Sequence, residues 1–387
     1  MKILFRKIYF WEIILVLISI YLTLLVVNFF LTKSILENDN KIIYNNLKKA
    51  QESFSKYKSD KRFFPYLIVN HETKKFEYYI NKYNFLPLST ISNKNIYLCN
   101  ENGIPVNYFS DKFGFRNKNS IYSDDKEKII FLGDSFIIGF CHEDPETISN
   151  IVYKNLKKKN ILNLSQGGTG PLTQLATLRE YSYDINFSHV FWFLFTGNDF
   201  INLEQELKNT YLKKYIDQSY SQNLKIKQNK IDNFYLDMIG DRMYSLVSPD
   251  NNFTKNYKQK KINFINLFKL RKIREIIISS KSVQIEKNLI DKYLDLVIKT
   301  KVNQLQDKNL TIVILPEERT FKLFHYDKYY RLNYIKKTLA QNNINVLDLS
   351  SKYKKKYNFL DLYYSRYTHY NKNAQNIIAL DLINSIK

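Results

Sequence analysis

From residue 129 onward the chain carries five short apolar runs, at 129–132, 160–164, 190–195, 310–315 and 345–349, the first ending at Gly133 and the third at Gly197 and Asn198. Runs this brief read as buried strands rather than helices. Between them the period changes. Leu172, Leu175 and Leu178 within 171–181 have the spacing of an amphipathic helix, and helices are also predicted over 148–156, 285–306, 331–341 and 373–386. Strands alternating with helices call for an α/β domain with a parallel sheet and right-handed crossovers. From 201 to about 280 the pattern loosens: helical pieces at 203–211 and 264–278 flank a middle rich in Asn and Lys. A structureless loop that long is unusual inside a compact domain. We expect a helical insertion beside the carboxyl edge of the sheet, as a lid or as plain surface decoration.

The N-terminal pattern is different. Residues 13–32 contain no charged side chain, and about 20 apolar residues suffice to cross a hydrocarbon core of about 30 Å. Lys2, Arg6 and Lys7 precede the run, and Tyr9 and Trp11 stand where an interfacial aromatic belt would lie. A cleaved signal peptide competes with this reading, but no small-x-small cleavage site follows. The expectation is a retained single-pass anchor in the inner (cytoplasmic) membrane, its basic leader inside and the remaining chain extracytoplasmic, that is, periplasmic. Residues 34–61, with Ile35, Ile42, Ile43 and Leu47, predict a juxtamembrane helix. Residues 63–97, with Pro65 and Pro87, predict extended segments packed on the main domain. The organisation expected is an anchor (1–32), a lead-in (33–97) and one α/β domain (98–387) with the insertion at about 201–280.

Composition narrows the function classes. The 387 residues are 44% hydrophobic and 16% aromatic, enough for a packed core. The net charge of +22 would suit an anionic partner, yet the lysines are spread along the chain. A solvated basic surface is expected, and no nucleic-acid partner. Cys99 and Cys141 are the two cysteines; in an exported domain they form a disulfide, the other reading being two buried thiols. No Cys/His cluster has metal-ligand spacing, so neither metal nor cofactor is expected.

Candidate chemistry begins at Gly133-Asp134-Ser135, just beyond the 129–132 strand. Ligands bind at the carboxyl ends of strands in open α/β sheets. Gly-Asp-Ser alone reads equally well as a polar turn. It is joined, however, by Asn163-Leu164-Ser165-Gln166-Gly167-Gly168 after the second strand, Gly197-Asn198-Asp199 after the third, and Thr368-His369-Tyr370 before the last helix. Ser, Gly, Asn and His in this order resemble the four blocks of the SGNH (GDSL-type) hydrolase superfamily, from about residue 98 to the C-terminus.

That resemblance implies a three-layer α/β/α fold with a parallel sheet of the five-stranded, flavodoxin-like type. It implies Ser135 as nucleophile and His369 as its base. The oxyanion donors would be the backbone N–H groups of Ser135 and Gly168 and the side-chain amide of Asn198. The superfamily's aspartate falls two or three residues before the histidine, where this chain has Arg366 and Tyr367. Asp361 is the nearest carboxylate and the remaining candidate for the acid. The function expected is a membrane-anchored serine esterase or O-acyltransferase working through an acyl-serine. Its substrate would be an acyl or acetyl ester, such as one on a cell-envelope polysaccharide. The missing aspartate and the +22 charge motivate the alternative, a catalytically silent domain of the same fold that binds an anionic glycan or organises an envelope complex.

Overall fold

The structure is a computed structural model that describes residues 9–34, 36–37, 63–69, 73–99, 105–156, 159–238, 261–274, 285–322, 326–364 and 368–386. Most of the expected juxtamembrane helix and the middle of the insertion lie outside these residues. The chain divides into two compact units, Met1–Lys48 with Pro249–Val283, and Lys49–Ser248 with Gln284–Lys387.

The smaller unit holds helix α1 (Tyr9–Ser34), long and apolar enough to cross a membrane and with its apolar window almost wholly exposed. Residues 261–274 pack beside it through hydrogen bonds to Asn28 and Tyr21.

In the larger unit a three-stranded sheet comes first: β1 (Phe63–Pro65) runs parallel to β2 (Asn95–Cys99), which is antiparallel to β3 (Val106–Phe109). The main sheet follows, built from β4 (Lys128–Leu132), β5 (Asn160–Asn163), β6 (Phe187–Phe195), β7 (Asn309–Leu315) and β8 (Asn345–Asp348). Its order is β5-β4-β6-β7-β8 and every pairing is parallel. The apolar runs are continuous because both faces are covered. Ile130, Leu132, Val190, Trp192, Leu194, Ile312 and Ile314 enter one core, and Ile129, Phe131, Phe191, Phe193 and Val313 enter the other. That is the period-2 alternation of a strand. On the first face lie α3 (Pro171–Ser182), α4 (Asp199–Glu206), α5 (Lys287–Thr300) and α6 (Leu332–Gln341); on the second lie α2 (Ile148–Asn155) and α7 (Lys372–Ile386). The three-layer arrangement is the one the resemblance implies.

Two local expectations are corrected. Within 63–97 the chain is not extended throughout: Thr73–Tyr83 is helical. Phe76, Tyr79, Ile80 and Tyr83 recur three or four residues apart and pack on the core. The helix expected at 203–211 instead starts at Asp199 and stops at Glu206, because Asn209 turns its side chain onto the N–H groups of Tyr211 and Leu212 and caps a new turn.

Candidate active site

The sheet order reverses at β4. Chain from β4 passes to β5 on one side, then to β6 on the other, and a crevice opens outside the strand ends at such a point. Ser135, Gly168 and Asn198 follow β4, β5 and β6 respectively, so backbone register alone brings three separate blocks to one edge.

Ser135 opens a one-turn helix, Ser135–Ile138, which Asp134 caps by accepting from the Phe136 N–H at 3.0 Å. Gly139 ends the turn in the left-handed region at φ +77°. A side chain there would also strike Thr147 Cγ2. As the first helical residue, Ser135 has an N–H with no intrahelical acceptor. His369 comes from the far end of the chain, and its Nε2 stands 2.8 Å from Ser135 Oγ. The imidazole lies against the rings of Phe136 and Phe140, with centroids 4.8 and 4.6 Å away. Its loop is held from two sides. Tyr363 and Tyr370 pair across an antiparallel bridge and both donate their hydroxyls to Pro316 O, just after β7. His142 Nε2 donates to Tyr370 O at 2.7 Å; this histidine is buried, and burial lowers its pKa. His142 is therefore an internal strut, and its role is invisible in a sequence where the two residues are 228 positions apart.

Gly168 adopts φ +71°, a conformation that suits glycine. Its neighbour Gly167 is buried, and a Cβ there would lie 3.5 Å from Ser135 Cβ and 3.2 Å from the Tyr66 hydroxyl. The glycine pair thus walls the space beside the Ser135 side chain. The loop is anchored by Glu206, whose buried carboxyl accepts from Gly170 N, Leu172 N and Thr173 Oγ1 at 2.5–3.0 Å. Burial raises the Glu206 pKa against these bonds.

Asn198 occupies the N-cap position of α4 without capping it. Its Nδ2 instead donates to Asp134 Oδ2 at 3.3 Å. An amide nitrogen carries two hydrogens, and this bond uses one of them. Burial pushes the Asp134 carboxyl up to about 6, against the Phe136 N–H and the His369 charge, which pull it down. Asp199, buried one residue beyond Asn198, is also raised by burial; its Oδ2 accepts from Phe195 N at 2.7 Å.

Asp361 is not brought to the imidazole as a recorded hydrogen-bond partner. Its side chain is turned to its own helix, where Oδ2 accepts from Asn358 N at 2.7 Å. Arg366 and Tyr367 lie outside the described residues. Cys99 and Cys141 are joined in a disulfide with Cα atoms 5.4 Å apart. It ties β2 to the segment directly after Phe140.

One residue of the site has no counterpart in the sequence reading. Tyr66 leaves β1, donates its N–H to Tyr97 O, and sends its hydroxyl into the glycine loop. The hydroxyl accepts from Gly167 N at 2.6 Å and donates to Gln166 Oε1 at 2.9 Å. Burial raises its pKa well above the ordinary phenol value, so it stays protonated as a donor. Nothing in the spacing of the scattered aromatics over 63–97 marks it. It reaches the site across about 100 positions, through a sheet outside the α/β layers.

No family model and no curated protein matches the sequence. Among solved structures, the chain is similar to a lipase/acylhydrolase from Enterococcus faecalis, at 10% identity over 67% of this chain and 95% of that one, with a TM-score of 0.38. It is similar to a psychrotrophic esterase from Pseudoalteromonas sp. inhibited by monoethylphosphonate, at 13% identity over 67% and 96%, TM-score 0.34. A lipolytic protein of the G-D-S-L family from Veillonella parvula matches at 12% identity over 67% and 97%, also with a TM-score of 0.34.

Proposed function

We propose that the chain is a serine ester hydrolase of SGNH type, held at a membrane by α1. The observation that carries the reading is the 2.8 Å contact between His369 Nε2 and Ser135 Oγ at the sheet's switch point. A serine hydroxyl becomes an effective nucleophile near neutral pH when a base takes its proton. In the proposed cycle His369 Nε2 removes that proton as Oγ bonds to the ester carbonyl carbon. The carbonyl oxygen, now negative, is met by the N–H groups of Ser135 and Gly168 and by the Asn198 amide. Collapse breaks the bond to the leaving alcohol, which takes the proton from His369. Water, deprotonated by the same imidazole, then releases the acid and restores Ser135. Transfer to a glycan hydroxyl shares every step up to the acyl-serine. An ester on a cell-envelope glycan is the substrate we propose.

Anchoring rather than signal-peptide cleavage is supported by Asn28. A residue of α1 whose amide bonds to Leu267 and Lys272 is tied to the chain over 200 positions away.

A fluorophosphonate probe tests the central claim. Covalent labelling of the wild type is expected, absent in Ser135→Ala and strongly reduced in His369→Ala. An unlabelled wild type, or equal labelling after Ser135→Ala, removes the hydrolase reading.

A further inference from the structure

Asn28 is the one carboxamide in the apolar run of α1, and it is fully buried while most of the helix around it is exposed. The partners of its side chain come from residues 261–274. Its Nδ2 donates to Leu267 O at 3.0 Å, and its Oδ1 accepts from Lys272 N and Ile273 N at 3.0 and 3.2 Å. Tyr21 Oη, seven residues earlier on α1, donates to Phe268 O at 2.9 Å. Seven residues of helix rise about 10 Å, so the segment lies along α1 rather than touching it at a point. An amide in hydrocarbon is costly unless its hydrogen bonds are made. Here polar backbone from a distant stretch makes them.

The same segment turns its largest apolar side chains outward. Phe264, Ile265 and Phe268, within the short helix Phe264–Phe268, are 57–68% exposed, while Leu267 is buried. Lys261, Lys269, Arg271 and Arg274 are exposed around them. Large apolar groups clustered in so few residues are not left to water without a reason. Apolar side chains ringed by Lys and Arg are the composition of an element lying in a membrane interface. Asn28 stands five residues before Lys33, the first charged residue after the apolar run, about 7.5 Å along the helix axis. That depth matches the 5–10 Å to which interfacial elements sink their apolar face.

We propose that residues 261–274 form a second membrane-contacting element in the leaflet at the C-terminal end of α1. Phe264, Ile265 and Phe268 enter the acyl region, and Lys261, Lys269, Arg271 and Arg274 meet anionic lipid phosphates. The bilayer is the occupant because the exposed apolar side chains belong to a segment hydrogen-bonded along the apolar helix α1 and the neighbouring Lys and Arg side chains complement lipid charge. The inference rests on α1 spanning a membrane. By connectivity, the larger unit is then fixed to lipid at two places in its sequence, before β1 and between Met238 and Lys287.

The test uses the full chain in vesicles of phosphatidylcholine and phosphatidylglycerol. Among the described residues both cysteines are consumed by the disulfide, so an introduced cysteine takes an environment-sensitive fluorophore selectively. Ile265→Cys and Phe268→Cys report on the element, Leu15→Cys on α1, and Leu360→Cys on an exposed helix of the larger unit. Doxyl-labelled lipid is expected to quench the probe at 265, 268 and 15 severalfold more than at 360. Aqueous iodide is expected to quench in the reverse order. Quenching by lipid at 15 but water-like behaviour at both 265 and 268 overturns the proposal while leaving the anchor. Absence of lipid quenching at 15 overturns the spanning reading, and the proposal with it.

Discussion

Replacing Tyr66 by phenylalanine keeps the ring and removes only the hydroxyl that joins Gly167 N and Gln166 Oε1. Gly167 is buried, so its N–H loses its recorded acceptor, and a buried donor left unsatisfied costs about 1–3 kcal/mol. That sets the loss of stability. The effect on catalysis follows from where the loop points. Gly167 abuts Ser135 Cβ, and Gly168, the proposed oxyanion donor, is the next residue. Deleting such a donor outright costs about 2.7–4 kcal/mol, and misplacing a reacting geometry by about 1 Å costs roughly 100-fold. Tyr66 positions the donor without being one. Its loss should therefore lower kcat by about 10- to 100-fold, with the 100-fold end set by full misplacement of the loop. The KM of a small ester such as p-nitrophenyl acetate should stay near the wild-type value, since the substrate does not depend on this hydroxyl for binding. Kinetics on the detergent-solubilised full chain, with a thermal melt of the same sample, measure both quantities. Wild-type kcat together with a wild-type melting temperature refutes the reasoning; a stability loss with unchanged kcat would leave Tyr66 as a structural strut only.

Asp361→Asn should leave kcat/KM near wild type, because the carboxylate accepts from Asn358 N instead of serving the imidazole; the helix-end contact it weakens is worth about 0.5–2 kcal/mol in a urea titration. A drop in kcat of several orders of magnitude would restore it as the acid. The buried carboxyl of Asp199, raised by desolvation, takes up its proton in the folded state before the unfolded chain does. Its contribution is most favourable at low pH and declines as the pH rises through its folded value. Asp199→Asn should therefore gain stability relative to wild type as the pH is raised from about 4 upward. The comparison is made between the two proteins because buried His142 and His189, whose pKa values are lowered, act in the opposite direction. A stability difference that stays flat with pH contradicts it.

The sequence made the strands legible because strands covered on both faces carry unbroken apolar runs: 160–164 and 345–349 become Asn160–Asn163 and Asn345–Asp348, each one residue shorter. Ser135 and His369 could be paired in advance because the ordered Ser, Gly, Asn and His blocks resemble those of the SGNH superfamily, and the two side chains stand 2.8 Å apart. For Asp361, closeness in sequence does not fix direction: its carboxylate accepts from Asn358 N at a helix start. Tyr66 and His142 were illegible for a different reason. Each acts through one hydrogen bond to a backbone atom more than 100 positions away, and such a contact leaves no periodicity or motif.

The tie between Asn28 and residues 261–274 bears on how a water-soluble form should be prepared. Deleting the first 34 residues is the obvious trimming. It would strip Leu267 O and Lys272 N of their amide partner and leave Phe264, Ile265 and Phe268 as an orphaned greasy patch inviting self-association. Excising the internal stretch along with the leader, and bridging the gap with a short flexible linker, removes both halves of what is structurally a single piece.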